Sequence, residues 1–323
     1  MKKSTDFIEK LFEKAKNKNE LSEWEFIQTI MRELYSNNYY SIEQTISHNS
    51  IYDTINEHES INKFQRQIIQ ENISFVNSLV NLGNTLRNDF SNFIRIRLLT
   101  YCYITEMRYL HNIVANLLWI SLGKTFYDDP FSEEVIKSNL KDIELDKMKT
   151  MNIEITKRLT TNADQRIKLI VFLCNKAKMK ELGEFIESFY DNHIRNSFYH
   201  SKYIFDKEGY IGFDERHNYK YTTEEYGEKI DKAIMFYIMI TNSIEKYRKS
   251  YTVNITIKAR NPHYKKTKHE IGKKKIICAD IITNSSEGII YTQLDFNNDN
   301  SNKPYIGKSD IDIVDVIGMQ LSK

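Results

Sequence analysis

The sequence is poor in the two residues that most often interrupt helices. It contains only 3 prolines and 10 glycines in 323 residues, and two of the prolines lie beyond residue 260. Proline removes a backbone donor and clashes with the preceding helical turn, and glycine loses much conformational freedom inside a helix. Their scarcity predicts that the chain is mainly α-helical up to about residue 250.

Cysteine and net charge are also low. The three cysteines, Cys102, Cys174 and Cys278, are far apart and lie in apolar runs. This pattern predicts reduced thiols in the core of an intracellular protein, rather than a disulfide framework or a zinc site. The formal net charge is only +2, which is too small to indicate a nucleic-acid partner. Any such indication has to come from local patches of charge.

No long apolar run is free of charged residues. The longest, about residues 90–120, contains Arg95, Arg97, Glu106 and Arg108. Those charges argue against a transmembrane span. The first residues lead into a charged segment and lack the apolar stretch of a signal peptide. We therefore expect a cytoplasmic protein without a membrane partner.

Apolar residues recur at helical spacing through the first three quarters of the chain. The predicted helices are 61–80, 93–117, 133–149, 166–190 and 222–247. Gly83-Asn84 is the predicted break between the first two, and 133–149 is either a charged helix or a partly ordered linker. Thr222 and Glu225 have the spacing of a capping box at the start of the last helix.

Past residue 250 the pattern changes to the alternation of β-strands. Residues 252–258 alternate polar and apolar side chains, and two short β-rich runs follow at 276–282 and 289–296. The final apolar run, 311–321, fits either a strand or a helix. We divide the chain into an N-terminal helical extension (1–59), a helical domain (60–250) and a small, basic, β-rich domain (251–323).

The most informative segment, residues 191–200, has two distinct faces on a helix. At about 100° per residue, the apolar side comprises Ile194, Ser197, Phe198 and Ser201. An opposite arc of about 140° comprises Arg195, Asn196, Tyr199 and His200. Asn196 and His200 are spaced i,i+4, so their side chains are within reach of each other.

This polar set suits the cleavage of RNA. The 2′-hydroxyl of RNA attacks the adjacent phosphorus, so the protein has to move protons and stabilise charge on phosphoryl oxygens. Histidine titrates near neutrality and acts as a general acid or base. Arginine stays charged and binds phosphate oxygens with two parallel N–H groups. The nucleophile belongs to the substrate, so this chemistry needs no metal and no cofactor.

The string IRNSFYH at residues 194–200 resembles the Arg-Asn-x-x-x-His core of HEPN ribonucleases. The residues that follow, 203–213, have the pattern of a β-hairpin that turns at 206–209, and a long amphipathic helix comes after it. In the HEPN family the motif lies near the end of a helix, often before a hairpin and a closing helix. The resemblance covers about residues 60–250.

The resemblance implies a HEPN-like all-α bundle that forms a homodimer, with paired motifs building one composite site. Its products would carry a 2′,3′-cyclic phosphate and a 5′-hydroxyl. It implies that Arg195 binds phosphate, that Asn196 orients the histidine and that His200 transfers the proton. Such domains recur in bacterial abortive-infection and toxin systems. Anti-phage defence is therefore the expected context, with an antitoxin or a phage-derived trigger as a further partner.

A second set of residues is expected to contact RNA outside the motif. Tyr199 is placed to stack on a base, and Lys202 follows the motif directly. A basic run extends from Lys258 to Lys275 with a single acidic residue, and such runs grip nucleic-acid backbones. Its lysines assigned to RNA binding are Lys265, Lys266, Lys268, Lys273 and Lys274.

Three alternatives stay open at this point. Arg195 and His200 could be an ordinary surface arginine and a partly buried histidine on a structural helix. The chain could be a non-catalytic HEPN-like adaptor that binds a partner protein or a nucleotide. It could also be an RNA-binding protein that works mainly through residues 258–275, although a solvated loop between two strands is the simpler interpretation of that run.

Overall fold

Helices make up most of the protein in a computed structural model, as the sequence predicts. The structure describes residues 6–32, 71–86, 89–155, 162–205, 209–213, 217–260, 276–284 and 288–295. The predicted lysines at 265–274 and the apolar run at 311–321 lie outside these residues. The chain divides into two units, Met1–Tyr247 and Arg248–Lys323.

The helices of the first unit follow one another with short connections. They are α1 (Asp6–Lys16), α2 (Ser22–Arg32), α3 (71–85), α4 (Phe90–Glu106), α5 (Arg108–Ser121), α6 (Glu133–Asn139), α7 (Asp142–Thr150), α8 (Ala163–Lys176), α9 (Lys180–Phe189), α10 (Asn192–Tyr199) and α11 (Thr223–Lys249). The last of these continues two residues past the boundary between the units.

Helix α5 is the central element of this unit. Every residue from Tyr109 to Ser121 is buried, which is expected only of a helix that is covered on all sides. Helices α1, α2 and α8 all pack against it. The segment that we assigned to an N-terminal extension therefore contributes two helices to the same core.

Three predicted helices are interrupted, and the charged one at 133–149 divides into α6 and α7. The predicted helix 93–117 breaks at Met107, whose backbone is extended (φ −65°, ψ 96°) between α4 and α5. The predicted helix 166–190 breaks at Lys178, a non-glycine residue with a positive φ of 56° between α8 and α9. In both cases the apolar side chains continue across the corner, because both flanking helices face the same core, so periodicity alone does not reveal the break.

The predicted break at Gly83-Asn84 is also wrong, because helix α3 continues through both residues to 85. The next helix begins instead after Asp89, whose carboxylate accepts the backbone N–H of Asn92 at 3.2 Å. Asp89 supplies the N-cap that α4 needs. The loop that separates the two helices thus lies several residues later than predicted.

The predicted hairpin is present and has a third strand. Strands β1 (Tyr203–Phe205) and β2 (Gly209–Phe213) pair antiparallel, and β3 (Asn218–Thr222) extends the sheet beside β2. Helix α11 follows β3 at once through the predicted capping box. There the Thr222 N–H donates to Glu225 Oε2 at 2.8 Å, and the Glu225 N–H donates to Thr222 Oγ1 at 3.2 Å.

The second unit contains the β-strands expected beyond residue 250. Strands β4 (Ile255–Arg260), β5 (Ile276–Asn284) and β6 (Gly288–Asp295) form one antiparallel sheet in chain order. Cys278 is buried on β5, and Cys102 and Cys174 are buried in the first unit, as predicted for core thiols. Among the described residues no helix is both long and apolar enough to cross a membrane.

Gly212 on β2 lies close to Ser197 of α10. A Cβ placed there would lie 2.5 Å from Ser197 Oγ and 3.0 Å from Ser197 Cβ. We predict that Gly212→Ala lowers the free energy of unfolding by about 1–3 kcal/mol, because α10 must shift to relieve the overlap. Chemical denaturation monitored by circular dichroism measures the change.

Gly227 in α11 is the matched control, because a Cβ there meets no atom within 4 Å. Gly227→Ala is expected to raise the free energy of unfolding by about 0.5–1 kcal/mol, through better helix propensity. If both substitutions changed the free energy of unfolding in the same direction, the close approach of α10 to β2 would be contradicted.

Candidate functional site

The start of α10 is fixed by a corner with α9. The Asp191 carboxylate caps the helix by accepting the backbone N–H groups of His193 and Ile194 at 3.0 and 3.3 Å. The buried Tyr101 hydroxyl, from α4, accepts the Asp191 N–H at 2.8 Å and donates to the Phe189 carbonyl at 2.9 Å. The motif helix is therefore a separate short element, whose direction is set by hydrogen bonds to α4.

The underside of α10 is attached to the three-stranded sheet. Ile194 and Ser197 are buried, as the helical-wheel analysis predicts. Ser197 Oγ donates to the His193 carbonyl at 2.6 Å and lies 2.7 Å from the Tyr210 hydroxyl of β2. Burial raises the pKa of Tyr210, so this hydroxyl stays protonated at neutral pH. These contacts fix the buried side of α10 against the sheet. The remaining motif residues lie on the opposite side of the helix.

The end of α10 is closed by two backbone hydrogen bonds around a left-handed residue. Ser201 has a φ of 53°, its N–H donates to the Phe198 carbonyl at 3.0 Å, and the Lys202 N–H donates to the Ser197 carbonyl at 2.8 Å. This is the Schellman arrangement, with serine where glycine is usual. His200 is the C-cap residue immediately before the turn.

The His200 side chain is exposed to solvent. Within the part of the chain that the structure describes, its imidazole has no hydrogen-bond, ion-pair or ring partner. The alternative of a partly buried structural histidine therefore does not apply to it. The group is accessible to a ligand from solvent.

Arg195 is much less exposed than the sequence analysis expects, with 11% of its side chain accessible. Its Nη1 lies 2.7 Å from Glu106 Oε1, at the end of α4, and donates to the Tyr190 hydroxyl at 3.3 Å. Its Nε and Nη2 donate to Asn196 Oδ1 at 3.2 and 2.7 Å. Asn196 thus contacts Arg195, and not His200 as the i,i+4 spacing allowed.

A second arginine shares the Glu106 carboxylate. Arg166 Nη2, from α8, lies 3.8 Å from Glu106 Oε2 and donates to the Glu106 backbone carbonyl at 3.3 Å. Arg166 Nε donates to His111 Nδ1 of α5 at 3.0 Å. Arg166 and His111 are only 3% and 2% exposed. A chain of polar contacts therefore runs from the core to Arg195.

His111 is held neutral in this network. Burial, followed by the positive charges of Arg166 and Arg195, lowers its pKa well below the ordinary value of 6.5. A neutral ring is also required by geometry, because Nδ1 accepts a hydrogen bond from a guanidinium and cannot carry a proton there. The cluster thus combines two cationic guanidinium groups and one carboxylate with an uncharged imidazole.

The sequence analysis missed Glu106, Arg166 and His111. One usable signal exists for Arg166, since this basic residue is aligned at i,i+4 and i,i+7 with Ile170 and Leu173 on the apolar face of α8. A charge in such a position requires a buried partner. Which residue provides that partner depends on the packing of α4 and α5 against α8.

The other predicted RNA contacts are only partly described. Tyr199 is 46% exposed, and Lys202 is exposed beside the motif. Burial raises the pKa of Tyr199, so it is a neutral hydroxyl. Lys258 and Arg260, at the start of the basic run, lie on β4. The structure thus brings Arg195, Asn196 and Glu106 into contact where α4 ends, and within the described residues no hydrogen bond or ion pair joins the Tyr199 or His200 side chain to these three side chains.

No family model, curated protein or solved structure matches this chain. Functional inference therefore depends on the chemistry of these side chains. Among the described residues there is no group of three or more His, Cys, Asp or Glu side chains that could hold a metal ion.

The neutral state of His111 predicts a loss of stability in acid. The unfolded chain binds a proton on this residue below about pH 6.5, whereas the folded protein resists protonation until a much lower pH. The contribution of His111 to the free energy of unfolding is therefore fully present above this pH. It falls as the pH decreases, by up to about 1.4 kcal/mol per pH unit. Urea denaturation between pH 7.5 and pH 5 measures this slope.

The control is His111→Asn, whose Oδ1 replaces Nδ1 as the acceptor for Arg166 without titrating. The variant is expected to be less stable at neutral pH, because the smaller side chain leaves a cavity. Its stability should fall less steeply with acidification than that of the wild type. Parallel curves for the two proteins would show that His111 does not carry the effect.

Proposed function

We propose that this chain is a metal-independent endoribonuclease of the HEPN type, in which α10 presents Arg195 and His200 to a phosphodiester of RNA. The proposal rests on the solvent-exposed imidazole of His200, which lies five residues after a guanidinium held in place by Glu106 of α4. Five residues correspond to a rise of about 7.5 Å along a helix and to about 140° around it, so the two residues mark the two edges of the polar strip of α10.

In this reaction the 2′-hydroxyl oxygen forms a bond to phosphorus while the bond from phosphorus to the 5′-oxygen breaks. One group removes the 2′-proton and another protonates the 5′-oxygen, which leaves a 2′,3′-cyclic phosphate and a 5′-hydroxyl. A histidine near neutral pH performs either step. Arg195 stabilises the negative charge that develops on the non-bridging oxygens.

Two proton transfers require two groups, and one copy of the motif offers a single solvent-exposed histidine at its C-terminal end. We therefore propose a homodimer in which two copies of α10 share one composite site. The helical unit would be a HEPN-like bundle, and Tyr199, Lys202 and the lysines at 265–274 would hold the RNA. We also propose that the protein acts in the cytoplasm, as part of a toxin or anti-phage system. Its activity would be controlled by an antitoxin or by a phage-derived trigger.

A non-catalytic adaptor is the second candidate. It is favoured by the ion pair between Arg195 and Glu106. In this pair the carboxylate neutralises the positive charge of the guanidinium to which a phosphate would bind. The two candidates differ in one outcome. A ribonuclease cleaves RNA in the presence of a chelator and leaves cyclic phosphate ends, whereas an adaptor leaves the RNA intact.

His200→Ala is the sharpest test, because the ring has no partner in the described part of the protein and its removal should not change the melting temperature. We expect cleavage to fall by about 10²–10⁴-fold. Arg195→Ala should cause a loss of about 10²-fold or more, together with reduced stability. Rates are measured on purified protein in EDTA, and growth arrest on expression is measured in parallel.

The control is His193→Ala, which removes an exposed imidazole from the same helix. This ring stacks on Tyr219 at a centroid distance of 3.7 Å and lies at the start of α10. The His193→Ala variant should cleave RNA at the same rate as the wild type. Equal activity of the wild type and the His200→Ala and Arg195→Ala variants would rule out the catalytic assignment.

A further inference from the structure

The guanidinium of Arg195 is held along two edges by partners of different kinds. Nη1 points to the Glu106 carboxylate and the Tyr190 hydroxyl. Nε and Nη2 converge on one oxygen, Asn196 Oδ1. Two N–H groups of a guanidinium that meet on one side form the fork with which arginine binds an oxyanion. In the free protein a neutral amide oxygen occupies this fork.

The two edges differ in how firmly they are bound. Glu106 offers a full negative charge, and Arg166 contacts both its carboxylate and its backbone carbonyl. Arg166 is in turn bound to the buried His111. Asn196, by contrast, is the sequence neighbour of Arg195, and its side chain turns about its own rotatable bonds. The contact with Glu106 joins two opposite full charges, whereas the contact with Asn196 joins a charge to a neutral dipole, so the Glu106 edge is held more firmly.

We infer that Glu106 is a positioning residue that anchors Arg195 through Nη1, and that Asn196 Oδ1 occupies the Nε–Nη2 edge until a phosphate oxygen replaces it. This inference rests on the proposed function and specifies how its phosphate site is built. The phosphate oxygen takes the place of the weaker, neutral acceptor. The carboxylate opposite keeps the guanidinium in position during the exchange.

The exchange also explains how a largely covered arginine binds a ligand. With 11% of its side chain accessible, Arg195 can donate hydrogen bonds to a phosphate oxygen only where an existing partner moves away. Displacement of Glu106 would leave two guanidinium groups, those of Arg195 and Arg166, without their shared counter-charge. Displacement of the Asn196 amide leaves no charge unpaired, so that edge opens first.

The first test follows the Nε–Hε signal of Arg195 by nuclear magnetic resonance in the full-length protein, with inorganic phosphate as the probe. The signal is assigned by its loss in Arg195→Lys. In the wild type we expect a saturable shift. Asn196→Asp has nearly the same shape but holds a carboxylate on the edge, so it should bind phosphate about tenfold more weakly or worse.

Asn175→Asp is the control for added negative charge, because Asn175 is exposed near the end of α8. It should titrate like the wild type, and the thermal melts of both aspartate variants should show folded protein. The inference is overturned if Asn196→Asp binds phosphate as well as the wild type, or if the wild-type signal does not respond to phosphate.

The second test concerns Glu106. Glu106→Gln keeps the shape and an acceptor for Nη1 but removes the charge that anchors it. We expect kcat for RNA to fall about 10- to 100-fold, because Arg195 is no longer held in place. KM should stay unchanged or decrease, since the site loses a negative charge. Glu106→Asp should recover part of kcat. A rise in KM at unchanged kcat would contradict the anchoring role.

Failure of this inference and failure of the proposed function are distinguishable. If the wild type cleaves no RNA but phosphate binding is lost in Asn196→Asp, the assignment of the edge stands without the ribonuclease. If RNA is cleaved and Asn196→Asp binds phosphate normally, the ribonuclease stands and this inference is overturned.

Discussion

One carboxylate shared by two arginines connects three helices of the helical unit. Glu106 contacts Arg195 and Arg166, and through them connects α4 with α8 and α10. Removal of one partner from a buried ion pair leaves an uncompensated charge and costs about 3–5 kcal/mol, although solvent at the partly exposed Glu106 reduces that figure. The orientation of α10 relative to α4 thus depends on charge pairing as well as on apolar packing.

The same cluster determines the electrostatics of the candidate site. Two guanidinium groups and one carboxylate leave an excess of positive charge, to which the neutral imidazole of His111 adds nothing. Arg166 is committed to contacts inside the protein, and Arg195 lies nearer to the surface. The excess charge is therefore presented at α10, where an anion from solvent can neutralise it.

Much of the local structure could be predicted from the sequence. The buried positions of Ile194 and Ser197, the hairpin after the motif and the capping box of Thr222 and Glu225 all follow from short-range patterns, and the structure confirms them. The breaks at Met107 and Lys178 could not be predicted. Apolar periodicity continues across both, and neither residue is a glycine or proline that would mark a corner.

The partners within the candidate site were the least predictable part. Helical spacing predicted a contact between Asn196 and His200, but the amide oxygen of Asn196 accepts two hydrogen bonds from the adjacent guanidinium of Arg195 instead. Likewise, spacing gives the direction of Arg195 but not its burial, which depends on Glu106 at the end of another helix. Such contacts arise between elements distant in sequence, and a single sequence carries no record of them.

The closure of α10 by a left-handed serine has a consequence for the histidine that precedes it. The backbone of His200 is fixed by hydrogen bonds on both sides of the turn, whereas its imidazole is exposed to solvent and no contact among the described residues fixes its orientation. Any ligand that binds this ring has to fix that orientation, and ordering a side chain on binding costs about 0.5–1.5 kcal/mol. The encounter with a ligand thus carries an entropic penalty that is confined to a single side chain, while the main chain around it is already in its final form.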